Sequence, residues 1–495
     1  MTGTLYGVGL GPGDPELMTV KAARLISEAS VIAYHCARHG RSIARSVAEP
    51  YLREGQIEEK LVYPVTTETT DHPGGYEGAI ADFYELSAKR LAEHLDAGRD
   101  VVLLCEGDPF FYGSYMYMHE RLSGRFEAVV VPGVTSVSAA SSVIGRPLVQ
   151  RDEVLTVLPG TLPAPELARR LADTDAAAVL KLGRTFTSVR EAFAEAGKLD
   201  DAVYVERATW GQQRIEPLAS VDPSTVPYFS LALLPSPAYA SRTSPAAPVP
   251  SPSSGGEVVV VGLGPAGPEW LTPEAAAELD AAEHIVGYGP YVARVPQKAG
   301  QQRHASGNRV EADRAREALS LAASGARVAV VSSGDPGVFA MASAVLEQVS
   351  AGHGAGVRVR IVPGVTAAQA AASRVGAPLG HDYCVLSLSD RLKPWEIIEK
   401  RLDAAGAADL VLALYNPASR SRTSQLADAV SVLLRHRAPS TPVVVARDVG
   451  GPEEDIRITT LGELDPSTVD MRCLLIVGSS RTRVDDGVVW TPRSY

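Results

Sequence analysis

The chain has 495 residues, of which 45% are hydrophobic and 21% are charged, and its formal net charge is −11. This composition is typical of a folded globular protein, and at roughly 150 residues per domain the length allows three or four domains. The acidic balance disfavours general nucleic-acid binding, because contacts with phosphates need a basic surface. No apolar run approaches the roughly 20 residues of a membrane span, so we expect no membrane contact and a cytoplasmic protein.

Strands and helices are predicted to alternate along the whole chain. The clearest helices are 19–29, with Thr19 as its N-cap, 79–97 and 136–144. Near-continuous Val/Leu runs between helices predict parallel sheets covered on both faces. We therefore predict an α/β fold with two lobes per half and a ligand cleft between them. The predicted strands are 5–10, 31–34, 101–105, 126–131, 154–158, 177–182, 202–206, 229–234, 258–262, 327–332, 357–362, 384–388, 410–414, 443–446 and 473–477.

A stretch rich in Pro and Ser divides the chain into two parts. Residues 236–255 are almost entirely Pro, Ser, Ala, Gly and Thr, which favours an extended linker without a packed core. It separates a first half, 1–235, from a second half, 256–495. We expect lobes of about 1–150 and 151–235 in the first half and of about 256–378 and 379–495 in the second. Cutting the linker is then expected to leave two separately active proteins.

The two halves repeat the same three motifs in the same order. The period is far longer than the 20–50 residues of repeat arrays, so the pattern indicates a fusion of two related modules. The matching pairs are a Gly-rich turn at 9–19 and 262–272, a Gly-Asp-Pro turn at 106–109 and 333–336, and a Pro-Gly-Val-Thr turn at 132–135 and 363–366.

The motifs lie where open α/β sheets bind ligands, at the carboxyl ends of strands. The Gly-rich turn resembles a dinucleotide fingerprint, but neither following strand ends in the acidic residue that would hold a ribose. A tight turn that needs glycine for its backbone remains the alternative. Asp108 and Asp335 in the Gly-Asp-Pro turns could cap helices, whereas their duplication in matching order favours a ligand.

The cysteines and arginines give weaker indications of function than the motifs do. The four cysteines, Cys36, Cys105, Cys384 and Cys473, form no CxxC pair, so we expect neither disulfides nor a bound metal. Arginines follow two predicted strands, where they form either a solvated face or a site for a polycarboxylate ligand. These arginines are Arg38, Arg41, Arg420 and Arg422.

Together the motifs resemble those of the tetrapyrrole methylase family, over nearly the whole of both halves. The first half is similar to precorrin-2 C(20)-methyltransferases at 72–76, 105–114 and 151–161. The second half is similar to precorrin-3B C(17)-methyltransferases at 380–390, 394–395 and 413–419. The resemblance implies a bifunctional enzyme of cobalamin synthesis, homodimeric relatives, and tetrapyrrole substrates bound by the arginines above.

The resemblance also implies S-adenosylmethionine as methyl donor, with S-adenosylhomocysteine as product. In the first half the implied contacts are Pro12, Glu106, Gly107, Asp108, Thr135, Ser136, Leu182 and Ala208. In the second half they are Pro265, Ser333, Gly334, Asp335, Thr366, Ala367, Tyr415 and Ala446. The second Gly-rich turn departs from the pattern at Ala266 and Gly267, and Leu182 stands where relatives commonly carry methionine.

The implied reactions are methylation of precorrin-2 at C-20 and methylation of precorrin-3B at C-17 with ring contraction to precorrin-4. Contraction moves protons, so we consider Asp382 and His381 as a general acid or base, with a strand-entry turn as the alternative. Two other functions stay open at this stage. One is a methylase of the same fold acting on uroporphyrinogen, RNA or a diphthamide precursor, and the other is a module that binds a tetrapyrrole or nucleotide without turnover.

Overall fold

The computed structural model describes residues 2–38, 40, 42–65, 70, 72–150, 153–237, 256–307, 310–391, 393–419 and 422–492. The chain forms two compact units, Met1–Thr135 and Ser136–Tyr495. The second unit therefore contains the remainder of the first half as well as the second half. No described helix combines the length and the apolar composition that crossing a bilayer requires. Most of the predicted linker, 238–255, lies outside the described residues.

The first unit is built on a parallel sheet of five strands in the order β3-β2-β4-β1-β5. Its elements are β1 (Leu5–Gly9), α1 (Val20–Glu28), β2 (Val31–Cys36), α2 (Ile43–Ala48), β3 (Ile57–Val62), α3 (Gly75–Asp96), β4 (Val101–Cys105), α4 (Tyr115–Leu122) and β5 (Ala128–Val131). The predicted N-cap is confirmed, because Thr19 Oγ1 accepts from the Ala22 N–H at 3.2 Å. β3 was not predicted, since its largely exposed sequence IEEKLV has no apolar run.

The second unit begins with the rest of the first half. Its elements there are α5 (Ser136–Ile144), β6 (Leu155–Pro159), α6 (Ala164–Ala172), β7 (Ala176–Leu180), α7 (Phe186–Glu195), β8 (Val203–Glu206), β9 (Arg214–Pro217) and β10 (Ser230–Leu234). The small side chains of α5 are largely buried, as tight helix packing requires.

The second half then repeats the five-stranded sheet of the first unit. Its order, β13-β12-β14-β11-β15, corresponds strand for strand to β3-β2-β4-β1-β5. The elements are β11 (Glu257–Gly262), α8 (Pro273–Ala281), β12 (His284–Tyr288), α9 (Gly289–Val292), β13 (Gln302–Ser306), α10 (Glu311–Ala323), β14 (Arg327–Ser332), α11 (Met341–Ser350), β15 (Arg358–Val362) and α12 (Ala367–Val375). The predicted duplication is thus present at the level of topology.

Ten of the remaining strands form one sheet that both halves share. The second half adds β16 (Gly376–Ala377), β17 (Tyr383–Ser387), α13 (Trp395–Ala407), β18 (Val411–Tyr415), α14 (Gln425–Leu433), β19 (Pro442–Arg447), β20 (Asp455–Thr460), β21 (Cys473–Val477), β22 (Arg483–Asp485) and β23 (Val488–Trp490). The sheet order is β20-β19-β21-β18-β17-β6-β7-β10-β8-β9, and β16, β22 and β23 form a small separate sheet. The shared sheet is mixed, because β10 runs antiparallel to both β7 and β8, whereas the sequence predicted parallel sheets.

The joint between the halves is the antiparallel pairing of β6 with β17, in which Thr156 faces Cys384. Two ion pairs flank it. Arg170 pairs with the buried Asp382, and Arg401 contacts Asp175 at 2.7 Å. The expectation of two separately active proteins did not include this joint, and the lobe boundaries stay predictions. The predicted fold class, two tandem α/β modules, is confirmed.

Candidate active site

In the first unit, the Gly-rich turn after β1 is hydrogen-bonded to the Gly-Asp-Pro turn after β4. Gly11 N–H donates to Gly107 O at 3.2 Å, and Gly107 N–H donates to Gly11 O at 2.8 Å. Gly107 has a φ of +66° in this arrangement, a conformation that glycine adopts at little cost. The two turns therefore form one backbone surface at the carboxyl edge of the sheet.

The buried carboxylate of Asp108 ties the third turn to this surface. Its Oδ1 accepts from Phe110 N–H at 2.9 Å and its Oδ2 accepts from Gly133 N–H at 3.1 Å. Burial raises the pKa of the Asp108 carboxyl to about 7, although these backbone donors pull it downward. Asp108 thus joins the Gly-Asp-Pro and Pro-Gly-Val-Thr turns rather than acting only as a local cap.

The second half repeats this geometry with its own residues. Gly264 and Gly334 exchange two hydrogen bonds, of 3.2 and 2.8 Å. Asp335 Oδ1 accepts from Gly337 N–H at 2.8 Å, and its Oδ2 accepts from Gly364 N–H at 3.2 Å. Burial raises the pKa of the Asp335 carboxyl to about 6. The same four hydrogen bonds therefore occur in both halves, so the internal repeat extends from the motifs to their geometry.

Glycine is needed where these turns approach each other. A Cβ at Gly133 would lie 2.1 Å from Gly107 O, and one at Gly364 would lie 2.4 Å from Gly334 O. At the apex of the first Gly-Asp-Pro turn, by contrast, a Cβ on Gly107 would meet no atom within 4 Å. A Cβ on Gly334, the matching residue of the second half, would instead lie 3.8 Å from Ala367 N and from Val365 O. Both clusters are therefore closed on the sheet side, and the first has open space beside its apex, as a cradle for a ligand requires.

Tyr415 connects the second lobe of the second half to the same cluster. It ends β18, and its hydroxyl oxygen accepts from Ala368 N–H at 3.2 Å and is hydrogen-bonded to the Thr366 side chain. Thr366 Oγ1 in turn caps α12 by accepting from Gln369 N–H at 3.2 Å. The structure thus brings Thr366, Ala367 and Tyr415, three of the residues that the resemblance implies for the donor, together beside Asp335.

Arg294, on the loop after α9, is a site residue that the sequence analysis missed. Its guanidinium donates to Leu263 O at 2.8 Å, to Gly264 O at 2.9 Å and to Ala266 O, and it reaches Ser333 Oγ at 3.2 Å. Burial lowers the pKa of Arg294 to about 10. This side chain holds the second Gly-rich turn at the position where the turn departs from the family pattern. No motif surrounds Arg294, so only the fold reveals it.

The other predicted cofactor residues lie in less distinctive surroundings. Glu106 Oε1 accepts from Ala44 N–H at 3.1 Å, and Ser136 begins α5. Leu182, Ala208 and Ala446 are buried in the second unit. Pro12 and Pro265 are half-buried in the two Gly-rich turns, and Thr135 is buried at the end of the first unit.

His381 and Asp382 lie at the opposite edge of the sheet from Tyr415. Asp382 precedes β17, whereas Tyr415 pairs with Ser387 at the far end of that strand, roughly 17 Å from Asp382 at about 3.3 Å per residue. Asp382 is 1% exposed and is paired with Arg170, and His381 Nδ1 lies 3.5 Å from its Oδ1. Burial raises the pKa of Asp382, against the charges of His381 and Arg170. This places Asp382 in the joint between the halves, so its catalytic role stays a prediction.

Two of the four predicted substrate arginines can be located. Arg38 is exposed just beyond β2. Arg422 is half-buried and donates to Asn416 O at 3.3 Å and to Ser389 Oγ at 3.4 Å, next to the end of β18. Arg41 and Arg420 lie outside the described residues.

The residue types at these sites suit an organic ligand. Within the described ranges, no group of three or more His, Cys, Asp or Glu side chains is placed to hold a metal ion. All four cysteines are buried and free. Backbone amides, carbonyls and small side chains make up the duplicated clusters of this two-module α/β protein, so each cluster is a candidate site for a small molecule.

Comparisons with known proteins agree with this architecture. The model of the family Tetrapyrrole (Corrin/Porphyrin) Methylases matches residues 4–222 and 257–465. The cobalamin biosynthesis protein CobIJ of Mycobacterium tuberculosis is 60% identical over 501 aligned positions, covering 100% of this chain and 96% of that protein.

Each half also has a relative of its own. A precorrin-2 C(20)-methyltransferase from a Sinorhizobium species is 52% identical over 234 residues, which is 47% of this chain and 95% of the relative. A precorrin-3B C(17)-methyltransferase from the same genus is 48% identical over 247 residues, 48% of this chain and 97% of the relative. The chain belongs to the tetrapyrrole methylase family, and it contains two modules of that family.

Proposed function

We propose that this chain is a bifunctional S-adenosylmethionine-dependent C-methyltransferase of cobalamin biosynthesis. The first half methylates precorrin-2 at C-20 to give precorrin-3A. The second half methylates precorrin-3B at C-17 with ring contraction to give precorrin-4. The proposal is supported by similarity to CobIJ along the whole chain and to the two separate methyltransferases. The observation that carries it is the duplicated cluster around Asp108 and Asp335, which would give each half a donor site of its own.

The chemistry of the clusters fits the methyl donor. Bound S-adenosylmethionine supplies a methyl group already activated on a sulfonium, and it carries no phosphate. The protein therefore has to align the donor with the acceptor carbon, and a covalent nucleophile is unnecessary. The residues that would hold it are Pro12, Glu106, Gly107, Asp108, Thr135, Ser136, Leu182 and Ala208 in the first half, and Pro265, Ser333, Gly334, Asp335, Thr366, Ala367, Tyr415 and Ala446 in the second.

The acceptor is a polycarboxylate, because precorrins carry acetate and propionate side chains. Arginine pairs such groups through two parallel hydrogen bonds. We assign Arg422, beside the end of β18, to these carboxylates together with Arg420, and we assign Arg38 and Arg41 to the same role in the first half. Assembly as a homodimer remains a prediction that a mass measurement in solution would check.

Two ligand sites per chain are the central expectation. Calorimetric titration of the intact chain with S-adenosylmethionine should give two sites, because the cluster occurs once in each half. Mass spectrometry should then show one added methyl group when precorrin-2 or precorrin-3B is supplied with the donor. A single site would contradict the proposal that both halves bind the donor. Two sites without methylated product would indicate a binding module instead of an enzyme.

Replacing Arg294 with methionine should weaken donor binding by the second half about tenfold. The substitution removes one guanidinium that donates to three carbonyls of the Gly-rich turn, and a net loss of about 1.4 kcal/mol corresponds to that factor. Titration of each variant with S-adenosylmethionine measures the effect. The matched control is Arg303→Met, because Arg303 donates to Val292 O at 2.9 Å, outside the turn. Equal losses in both variants would contradict a specific role for Arg294.

A further inference from the structure

The second-half cluster receives a contact from the first half. Asp335 accepts a hydrogen bond from the side chain of Ser138, which lies on α5 and is 3% exposed. The other two donors to this carboxylate come from the second half: the N–H of Gly337, which directly follows the Gly-Asp-Pro turn, and the N–H of Gly364 in the Pro-Gly-Val-Thr turn. Ser138 is therefore the only one of these three donors that comes from the other half of the chain.

Further contacts bring α5 and the segment after it against the same turn. Val149 N–H donates to Gly337 O at 3.4 Å, and Val149 forms a parallel bridge with Val338. A Cβ on Gly337 would lie 3.3 Å from Ser141 Oγ, so the turn approaches α5 closely. The first half thus contacts Asp335 and the two residues that follow the Gly-Asp-Pro turn of the second half.

We infer that the first half completes the donor site of the second half, with Ser138 as a positioning residue that holds Asp335 as an ionised acceptor for the two turns. This inference rests on the proposed function, since it assigns a role within the second donor site. Ser138 touches the carboxylate and not the reacting atoms, so it acts through the geometry of Asp335.

The charge state of Asp335 links this contact to pH. Its pKa is raised to about 6 by burial, and the Ser138 hydrogen bond to the ionised form opposes that rise. The titratable group that faces it is the Tyr415 phenol, whose pKa burial raises to about 12, so the phenol is neutral near pH 7. Protonation of Asp335 removes an acceptor from Gly337 or Gly364. Second-half donor affinity should therefore fall as the pH drops through about 6.

Ser138→Ala in the full chain tests the inference. Losing a hydrogen bond to a charged group should raise the pH midpoint of second-half donor affinity by about one unit. The KM for S-adenosylmethionine with precorrin-3B reports the second half alone. Ser138→Thr, which keeps the hydroxyl, should restore the midpoint. Ser142→Ala is the matched control on the same helix, since Ser142 Oγ donates to Ser138 O at 3.1 Å.

Hydrogen exchange of the ligand-free chain provides an independent readout. In Ser138→Ala the amides of Gly337 and Gly364 should exchange several-fold faster than in wild type, whereas peptides around Gly107 should not change. A wild-type midpoint and wild-type exchange in Ser138→Ala would overturn the inference, as would equal changes in Ser142→Ala. Failure of the wild-type chain to bind or turn over the donor would overturn the proposed function alone, because the exchange comparison does not depend on the donor.

Discussion

Replacing Arg170 with methionine should lower the free energy of unfolding of the second unit by about 3–5 kcal/mol. Arg170 is 7% exposed and Asp382 is 1% exposed, so the substitution leaves a buried carboxylate without its cation. Removing one partner of a buried ion pair costs far more than the pair contributes, because the remaining charge stays out of water. The midpoint of urea unfolding, followed by circular dichroism, measures the loss.

The neighbouring Arg169 provides the matched control. Like Arg170, it lies on α6 and pairs with Glu166 at 2.7 Å, but half of its side chain is exposed. Arg169→Met should therefore cost no more than about 1 kcal/mol. Adding Asp382→Leu to Arg170→Met should recover most of the lost stability, because both charges are then gone. An Arg170 variant no less stable than the Arg169 variant would show that the joint does not depend on this pair.

The Arg170–Asp382 ion pair should also determine whether the two halves stay associated after the linker is cleaved. With a protease site placed within 238–255, the cleaved wild-type chain should still elute at the same volume as the uncleaved chain, because β6 and β17 remain paired. The cleaved Arg170→Met chain should separate at least in part. If the cleaved wild-type chain separated into two halves, the expectation of two independent proteins, drawn from the composition of the linker, would hold instead.

Features fixed by neighbouring residues were predictable from the sequence. The Thr19 cap depends on a side chain and an amide three residues away, and each Gly-rich turn depends on glycines within the turn itself. The duplication of these local signals also predicted two modules. By contrast, β3 is an edge strand whose largely exposed residues include no apolar run, so composition did not reveal it.

Features fixed by distant residues could not be predicted in this way. Asp382 was a candidate general acid or base because ring contraction moves protons, yet its ion-pair partner Arg170 is 212 residues away in the sequence. Arg294 and Ser138 likewise gain their roles only from turns that the fold brings to them. The sheet that both halves share could not be predicted for the same reason. β6 and β17 are each ordinary apolar strands, and no local pattern encodes their pairing.

Replacing Gly364 with alanine should weaken donor binding by the second half at least about a hundredfold. The new Cβ would lie 2.4 Å from Gly334 O and 3.1 Å from the carbonyl carbon of Gly262, and both neighbours are backbone atoms that cannot rotate away. The turns must then separate, which strains the packing by about 1–3 kcal/mol and breaks the Asp335 hydrogen bond to Gly364 N–H. A combined loss of about 3 kcal/mol corresponds to that factor.

Gly133→Ala makes the reciprocal test, because its Cβ would lie 2.1 Å from Gly107 O in the first half. Each variant should lose one of two calorimetric sites and keep the other, so each half serves as the control for its neighbour. Gly124→Ala, where a Cβ would meet no atom within 4 Å, should keep both sites. Loss of both sites in one variant would mean general unfolding, and retention of both would mean that the turns do not form the donor sites. Reciprocal single losses require two sites that are built alike and occupied independently, each closed by a glycine that lets two turns share one buried carboxylate.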